Sequence, residues 1–352
     1  MQPDLRGLTR ADIAAALVGL GEKPGNAGAV FMAVHRRGAA DLALLPNVPA
    51  RVCLALGRAF TLAPLPIPER KLVAPDGTRK LLFRFPGEAT AECVVLPAKD
   101  HQTACLSSQS GCACGCTFCA TGALGLKRSL TPAEIIAQYE ACLREAVDLR
   151  SLVFMGMGEP FLNWENVRKA IMILSDSRGR HFPQVKMTVS TVGVIPVIEE
   201  LTTSDLRVRL AVSVVAADPE LRARLAPMEN TYPLNRVLAA VRRYCAARQA
   251  HVMLEYILLP GVNDRPSDSA LLARLIEGIP CRLNLIPYNP PGGPGRATPR
   301  IKEFQQELIA AGVLAYLRQE KGASIAAACG QLAASADRGE QPVVPFTFYQ
   351  GL

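Results

Sequence analysis

The sequence predicts an α/β protein: a partial (βα)6 barrel with a small helical N-terminal domain and a β-rich extension. Three observations predict it. From about residue 101, six short apolar runs are each followed by a helix-period pattern, the mark of parallel β-α units. Residues 1 to about 60 carry only helical periodicity. The stretch between them changes to alternating apolar residues and turn chemistry, as in strands.

In chain order, Leu8-Thr9-Arg10-Ala11-Asp12 starts an amphipathic pattern through Leu20, and Gly21 with Lys23-Pro24-Gly25 stops it. Ala29–Arg36 and Val52–Phe60 read as further helices, and Pro64, Pro66 and Pro68 as a linker. Lys80–Phe85 and Glu92–Leu96 read as strands, with Asp76-Gly77 as a turn. The six barrel strands fall at Thr103–Leu106, Leu152–Met155, Val185–Val189, Val208–Val214, Val252–Leu258 and Leu283–Ile286. The first barrel helix has a marked start: Thr131 as N-cap, Pro132 at the first position and Glu134 two later make a capping box. The expected division is residues 1–62 as a helical accessory domain and 63–100 as linker and β extension, then 101–335 as barrel with a C-terminal cysteine segment and 336–352 as a tail. In such barrels chemistry sits at the C-terminal ends of the strands.

The 352 residues suffice for a large core. The start, MQPDLRGLTRADI, has no apolar leader region, and no run approaches 18 apolar residues, so neither a secretion signal nor a membrane span is expected. Eleven cysteines without a leader point to a reducing, cytoplasmic setting. The formal charge of +8 suits either a polyanionic partner or a solubilising surface, and alone does not choose. Arg36-Arg37, Arg70-Lys71, Arg79-Lys80 and Lys127-Arg128 are candidate phosphate contacts, with ordinary solvated charge as the alternative.

Five cysteines fall between Cys105 and Cys119. Cys112, Cys116 and Cys119 form C-x3-C-x2-C. A four-iron cluster takes one thiolate per iron, so three ligands on one loop leave one iron open. An open iron can chelate the amino and carboxylate groups of S-adenosylmethionine (SAM), and electron transfer into the sulfonium then yields a 5′-deoxyadenosyl radical. The alternative is a zinc loop with Cys114 as fourth ligand, but zinc ligands usually come as two separated pairs and these four crowd onto eight residues. Cys114 is read as a bystander. Gly156-Met157-Gly158-Glu159-Pro160 follows the second strand, where glycines admit a close ligand and Glu159 can accept from an ammonium; a tight turn with a surface Glu is the plainer reading.

The block CLSSQSGCACGCTFCATG, followed in order by GMGEPFLN, VSTVG, LPGVND, IPYNP and AACGQL, resembles the RlmN/Cfr family of radical SAM RNA methyltransferases, from Gly21-Glu22-Lys23-Pro24 to Leu332. Any one motif is weak; the ordered set is specific. The resemblance implies a radical-SAM partial barrel, a [4Fe-4S] cluster on Cys112, Cys116 and Cys119, and two SAM molecules per turnover. It implies that Cys329 becomes methylated, that Cys105 resolves the product by attacking Cys329 sulfur, and that Glu92 removes the adenine ring proton. It places Gly158, Glu159, Ser190, Ser213, Val214, Val215 and Asn289 around SAM. The implied substrate is an adenine ring carbon, C2 or else C8, in 23S rRNA or tRNA, and the implied partners are RNA and an electron donor such as flavodoxin, with the enzyme a monomer. Two features depart from the family: Ser213-Val214-Val215 stands where Ser-Leu-His is common, and Gln319–Ser324 lacks the acidic residues usual after the glycine. A non-enzymatic iron–sulfur RNA-binding protein and a zinc-loop module are the competing classes. The other five cysteines, Cys53, Cys93, Cys142, Cys245 and Cys281, read as core residues.

Overall fold

The computed structural model describes residues 2–62, 64–290 and 298–333; the expected tail at 336–352 lies outside them. Helices α1 (Arg10–Gly19), α2 (Ala27–His35) and α3 (Ala50–Ala59) form the N-terminal unit. Thr9 and Asp12 close a capping box at α1. The extension is an antiparallel meander of β1 (Arg70–Val73), β2 (Arg79–Phe85) and β3 (Ala89–Pro97). Then follow β4 (Gln102–Cys105), β5 (Gln109–Gly111), α4 (Ala120–Ala123), β6 (Leu126–Ser129), α5 (Pro132–Glu145), β7 (Leu149–Phe154), α6 (Trp164–Ser175), β8 (Met187–Thr191), α7 (Ile195–Thr203) and β9 (Arg209–Ser213). The chain continues through α8 (Pro219–Leu225), α9 (Leu234–Arg248), β10 (Val252–Leu258), α10 (Pro266–Ile276), β11 (Cys281–Pro287), α11 (Ile301–Ala310) and β12 (Ala315–Leu317).

One ten-stranded sheet runs β1-β2-β3-β4-β7-β8-β9-β10-β11-β12, parallel from β4 onward. The six predicted strands are its parallel core, and the Thr131–Glu134 capping box is formed. Two features differ from expectation. The first parallel strand is not followed directly by a helix, because the hairpin β5/β6 intervenes and carries the cysteine loop at its tip. A seventh parallel strand, β12, extends the far edge beside β11. Both are three- or four-residue strands, too short to show a period.

The strand faces divide the interior in two. On β2 and β3, Leu81, Phe83, Cys93 and Val95 join the main core, which also takes in Leu5, Ile13, Leu17 and Phe31 of the N-terminal unit. The alternate residues, Lys80, Leu82, Glu92 and Val94, turn to the other face, where Leu82, Val94, Cys105, Met157 and Leu332 form a separate cluster. That second face holds the candidate chemistry.

Candidate active site

The cysteine loop is built by backbone. Gly111 ends β5 with φ of 76°, a left-handed turn that glycine adopts without penalty. Cys112 N–H donates to Gly125 O at 2.9 Å, Cys119 N–H to Cys116 O at 3.2 Å, and Thr117 N–H to Leu225 O at 3.0 Å. Gly122 lets α4 close over the loop, since a Cβ there would stand 2.9 Å from Cys116 O. Cys114 is buried with Val215, Leu221 and Leu259 in an apolar cluster beneath the loop. Under that cluster Arg222, fully buried, donates to Val192 O at 2.8 Å and Val214 O at 2.9 Å and pairs with Glu229. Among the described residues no three Cys, His, Asp or Glu side chains converge on a single ion. A four-iron cluster asks for something different, one thiolate per iron. Three thiols on one glycine-shaped loop fit that donor set, so Cys112, Cys116 and Cys119 would hold it.

A narrow cleft opens beside the loop, lined by Cys105, Cys119, Gly156, Asn289, Arg318 and Cys329 among others. Cys105 and Cys329 are 224 positions apart in sequence and share this one wall. Burial, reinforced by the neighbouring Cys329 thiol, pushes the Cys105 thiol up to about 12. The cysteine loop and the Cys329 segment are stitched together: Ala120 N–H donates to Gly330 O at 2.8 Å, and Thr121 Oγ1 donates to Leu332 O at 2.5 Å. Glu92 is no solvent-facing strand residue. It is 3% exposed, with Oε1 3.1 Å from Lys80 Nζ and Oε2 accepting from Ala333 N–H at 3.1 Å. Its carboxylate thus lies under the segment that carries Cys329.

Glu159 is buried as well, and both carboxylate oxygens accept backbone N–H groups, from Phe161 at 3.0 Å and Val192 at 2.9 Å. Burial nonetheless dominates and pushes it up to about 7. A carboxylate has about four acceptor sites, so Glu159 retains capacity for a ligand ammonium. The glycines before it serve a nearer purpose than a ligand: a Cβ on Gly156 would stand 2.6 Å from Ser107 Oγ, and one on Gly158 2.5 Å from Gln109 Cβ. Ser190 is the penultimate residue of β8 and Ser213 the last of β9, both half-buried. Asn289 is buried on the cleft wall, its Nδ2 bonded to Pro287 O and its Oδ1 without a partner among the described residues, an acceptor a polar ligand would satisfy. The two valines are placed differently. Val214 lies in the main core, its N–H given to Glu255 O and its carbonyl to Arg222 and Ala216. Val215 sits at φ 68° with its carbonyl accepting from Asn263 Nδ2 at 2.8 Å.

The polar run between Cys105 and Cys112 has a role that spacing does not reveal. Ser107, Ser108, Gln109 and Ser110 are all buried. Ser107 Oγ donates to Glu92 O at 2.6 Å and accepts from Met157 N–H at 2.7 Å, and its backbone is clamped by Gln138. Gln109 accepts from Glu159 N–H at 3.0 Å. This hub ties Glu92, the cysteine loop and the Gly158-Glu159 turn together. Arg318 is the other residue missed: its guanidinium lines the cleft, 3.8 Å from Glu255 and within the field of both Cys329 and Cys105. Several expected phosphate contacts are corrected. Lys80 is buried on Glu92; Arg128 is forked onto Glu134 and Pro86 O; Lys71 and Arg79 pair with Glu145. Arg36, Arg37, Arg70 and Lys127 remain exposed.

Residues 106–273 match the radical SAM superfamily. The chain is 40% identical to the dual-specificity RNA methyltransferase RlmN of Anaeromyxobacter dehalogenans, over 96% of this chain and 94% of that one. It is also 40% identical to the enzyme of the same name from Rhodospirillum rubrum, over 94% and 80%. A crystal structure of a radical SAM methyltransferase from Sphaerobacter thermophilus superposes with a TM-score of 0.86 at 38% identity, covering 94% of this chain and 99% of that one. No helix among the described residues is long and apolar enough to cross a membrane. With this identity over almost its whole length, the chain belongs to the RlmN family of radical SAM-dependent RNA methyltransferases, which work with a [4Fe-4S] cluster and SAM.

Proposed function

We propose that this enzyme methylates C2 of an adenine in 23S rRNA, tRNA or both, through a methyl group carried on Cys329 and at the expense of two SAM molecules per turnover. The observation that carries this reading is the meeting of Cys105 and Cys329 on one cleft wall beside Cys119, with Glu92 against the same segment. When bound, the cluster and SAM supply a 5′-deoxyadenosyl radical. The rest falls to the chain. Cys112, Cys116 and Cys119 hold the cluster; Glu159, Ser190, Ser213 and Asn289 surround SAM. Val215 has no side-chain hydrogen bond to give, and Val214 contributes packing alone. Cys329 thiolate attacks the methyl carbon of the SAM sulfonium, forming S–CH3 on Cys329 as the sulfonium's own S–CH3 bond breaks and its thioether leaves. Loss of a hydrogen atom from that methyl leaves a carbon radical that adds to the adenine. The adduct returns one electron to the redox partner that supplied the first, and Glu92 takes the ring proton once the Ala333 N–H yields its oxygen, which restores aromaticity. Cys105 thiolate then attacks Cys329 sulfur, the S–C bond breaks, the released methylene takes a proton, and a disulfide remains for an external reductant. Adenine ring carbons are electrophilic, which closes the route of ordinary methyl-cation transfer and calls for the radical one.

Of the expected phosphate contacts, Arg36, Arg37, Arg70 and Lys127 are exposed and placed to meet the RNA backbone, with residues 1–62 as the accessory domain that engages it. The test is peptide mass spectrometry of protein made in cells, with the methylated carbon mapped in product RNA. Methyl on Cys329 and on adenine C2 is expected. Active turnover without methyl on Cys329 refutes the two-stage route, and label at C8 refutes the target carbon.

A further inference from the structure

The segment from Gly322 to Ala333 has little regular structure, yet the β extension clamps it at three points. Gly322 N–H donates to Asp76 Oδ2 at 2.9 Å, Lys80 Nζ to Ala326 O at 3.1 Å, and Ala333 N–H to Glu92 Oε2 at 3.1 Å. Lys80 touches both the segment and Glu92, its ammonium lying also 3.1 Å from Glu92 Oε1. Both side chains of that pair are under 10% exposed. Ala326, the residue it holds, is in the left-handed region at φ 50°, a conformation that needs an external hold. A buried ion pair is seldom better for stability than two apolar residues of equal size, so stability alone does not account for a lysine here.

We propose that Lys80 is a positioning residue for methyl transfer to RNA, registering Glu92 against the Cys329 segment. The inference rests on Glu92 acting as the base. Among the described residues, Lys80 from β2 and the Ala333 amide from the C-terminal segment both reach that carboxylate; Cys105 of β4 stands opposite Val94, and Cys93 beside it on β3 turns into the main core.

The test compares Lys80→Met, Lys80→Arg, Glu92→Gln and the double variant Lys80→Met/Glu92→Gln in reconstituted enzyme. Three readouts are taken: methyl on Cys329 by mass spectrometry, covalent RNA–protein adduct on denaturing gels, and turnover at saturating RNA. For Lys80→Met the expected result is methyl-Cys329 within about twofold of wild type, turnover down about 100-fold, and adduct accumulating. Lys80→Arg should recover most of the turnover. The double variant should be no slower than Glu92→Gln, because Lys80 acts through Glu92. Removing both charges also removes the unpaired carboxylate that would unsettle the fold of Lys80→Met, so the double variant keeps the comparison readable. Methyl-Cys329 lost in parallel with turnover in Lys80→Met, no recovery in Lys80→Arg, or losses that multiply in the double variant, overturns the proposal. A normal Glu92→Gln enzyme overturns the base assignment and the proposal together, whereas a defective Glu92→Gln beside a normal Lys80→Met overturns the proposal alone.

Discussion

Replacing Gly111 by alanine should empty the cysteine loop of iron while leaving the barrel folded. A Cβ at this position would stand 1.8 Å from Gly125 O, and that carbonyl must retreat by about 1.6 Å to reach the 3.4 Å at which ordinary contact begins. The same carbonyl accepts the Cys112 N–H at 2.9 Å, so the retreat breaks the bond that closes the loop. A buried amide left unpaired costs about 1–3 kcal/mol, and an alanine held at positive φ about 1–2 kcal/mol more. The sum is smaller than the roughly 5–15 kcal/mol that holds a typical domain together, so the penalty falls on the loop and not on the sheet. Gly125→Ala is the matched control: its φ is 66°, but a Cβ there meets nothing within 4 Å. Both variants carry the conformational cost; only Gly111→Ala carries the clash. The assay is iron and sulfide per chain after anaerobic reconstitution, beside thermal unfolding by circular dichroism. Severalfold less iron in Gly111→Ala than in Gly125→Ala is expected, with both chains cooperatively folded. Equal iron in the two would refute the argument that the β5/β6 hairpin shapes the cluster site.

Two further outcomes depend on pH. Cys105 sits at about 12 because burial, and then Cys329, disfavour its thiolate, so below that value the thiolate fraction rises about tenfold per pH unit. Decay of a trapped RNA–Cys329 adduct should therefore speed up about tenfold between pH 7 and pH 8, and a flat rate would show that another group performs the release. His35 is held down to about 3 by burial and by Arg6 and Arg180, with its Nε2 unpartnered among the described residues. An unfolded histidine titrates near 6.5, so the unfolded chain takes up the proton first; stability is full above pH 6.5 and falls as the pH drops toward 3, by about 2 kcal/mol at pH 5. His35→Leu should flatten that slope in urea unfolding between pH 8 and pH 5, and an unchanged slope refutes the assignment.

What could be read from the sequence was periodic or compact. The six core strands announced themselves as apolar runs, the start of α5 as a capping box, and Cys112, Cys116 and Cys119, the proposed cluster ligands, stood out by their spacing within eight residues. What could not be read depends on long-range pairing. The Asp76, Lys80 and Glu92 clamps reach partners about 240 positions away, and nothing local marks Lys80 as buried: in Arg79-Lys80-Leu81-Leu82 it reads as the charged end of a strand. The alternation of β2 places Lys80 on the same face as Leu82, but only the fold says that this face is interior. Glu159 illustrates the converse. Its burial turned a surface-turn reading into a carboxylate pinned by two backbone amides.

Val215 draws these threads together. The resemblance puts a histidine at its place, and the left-handed conformation found there, φ 68°, is one that histidine enters more readily than a β-branched residue. A valine so placed stores about 1–3 kcal/mol of strain and persists only where its surroundings over-determine it. They do. Asn263 donates to Val215 O and to Ile257 O, both at 2.8 Å, and accepts from Leu259 N–H at 2.8 Å, while Arg222 fixes Val214 O one residue earlier. The side chain itself packs with Cys114 and Leu221 under the cysteine loop. The backbone has thus kept a turn suited to a polar residue although the residue is now apolar. A valine here therefore changes what this corner can offer a ligand, not where the corner is; under the proposed function the polar contacts to SAM would fall to Glu159, Ser190, Ser213 and Asn289.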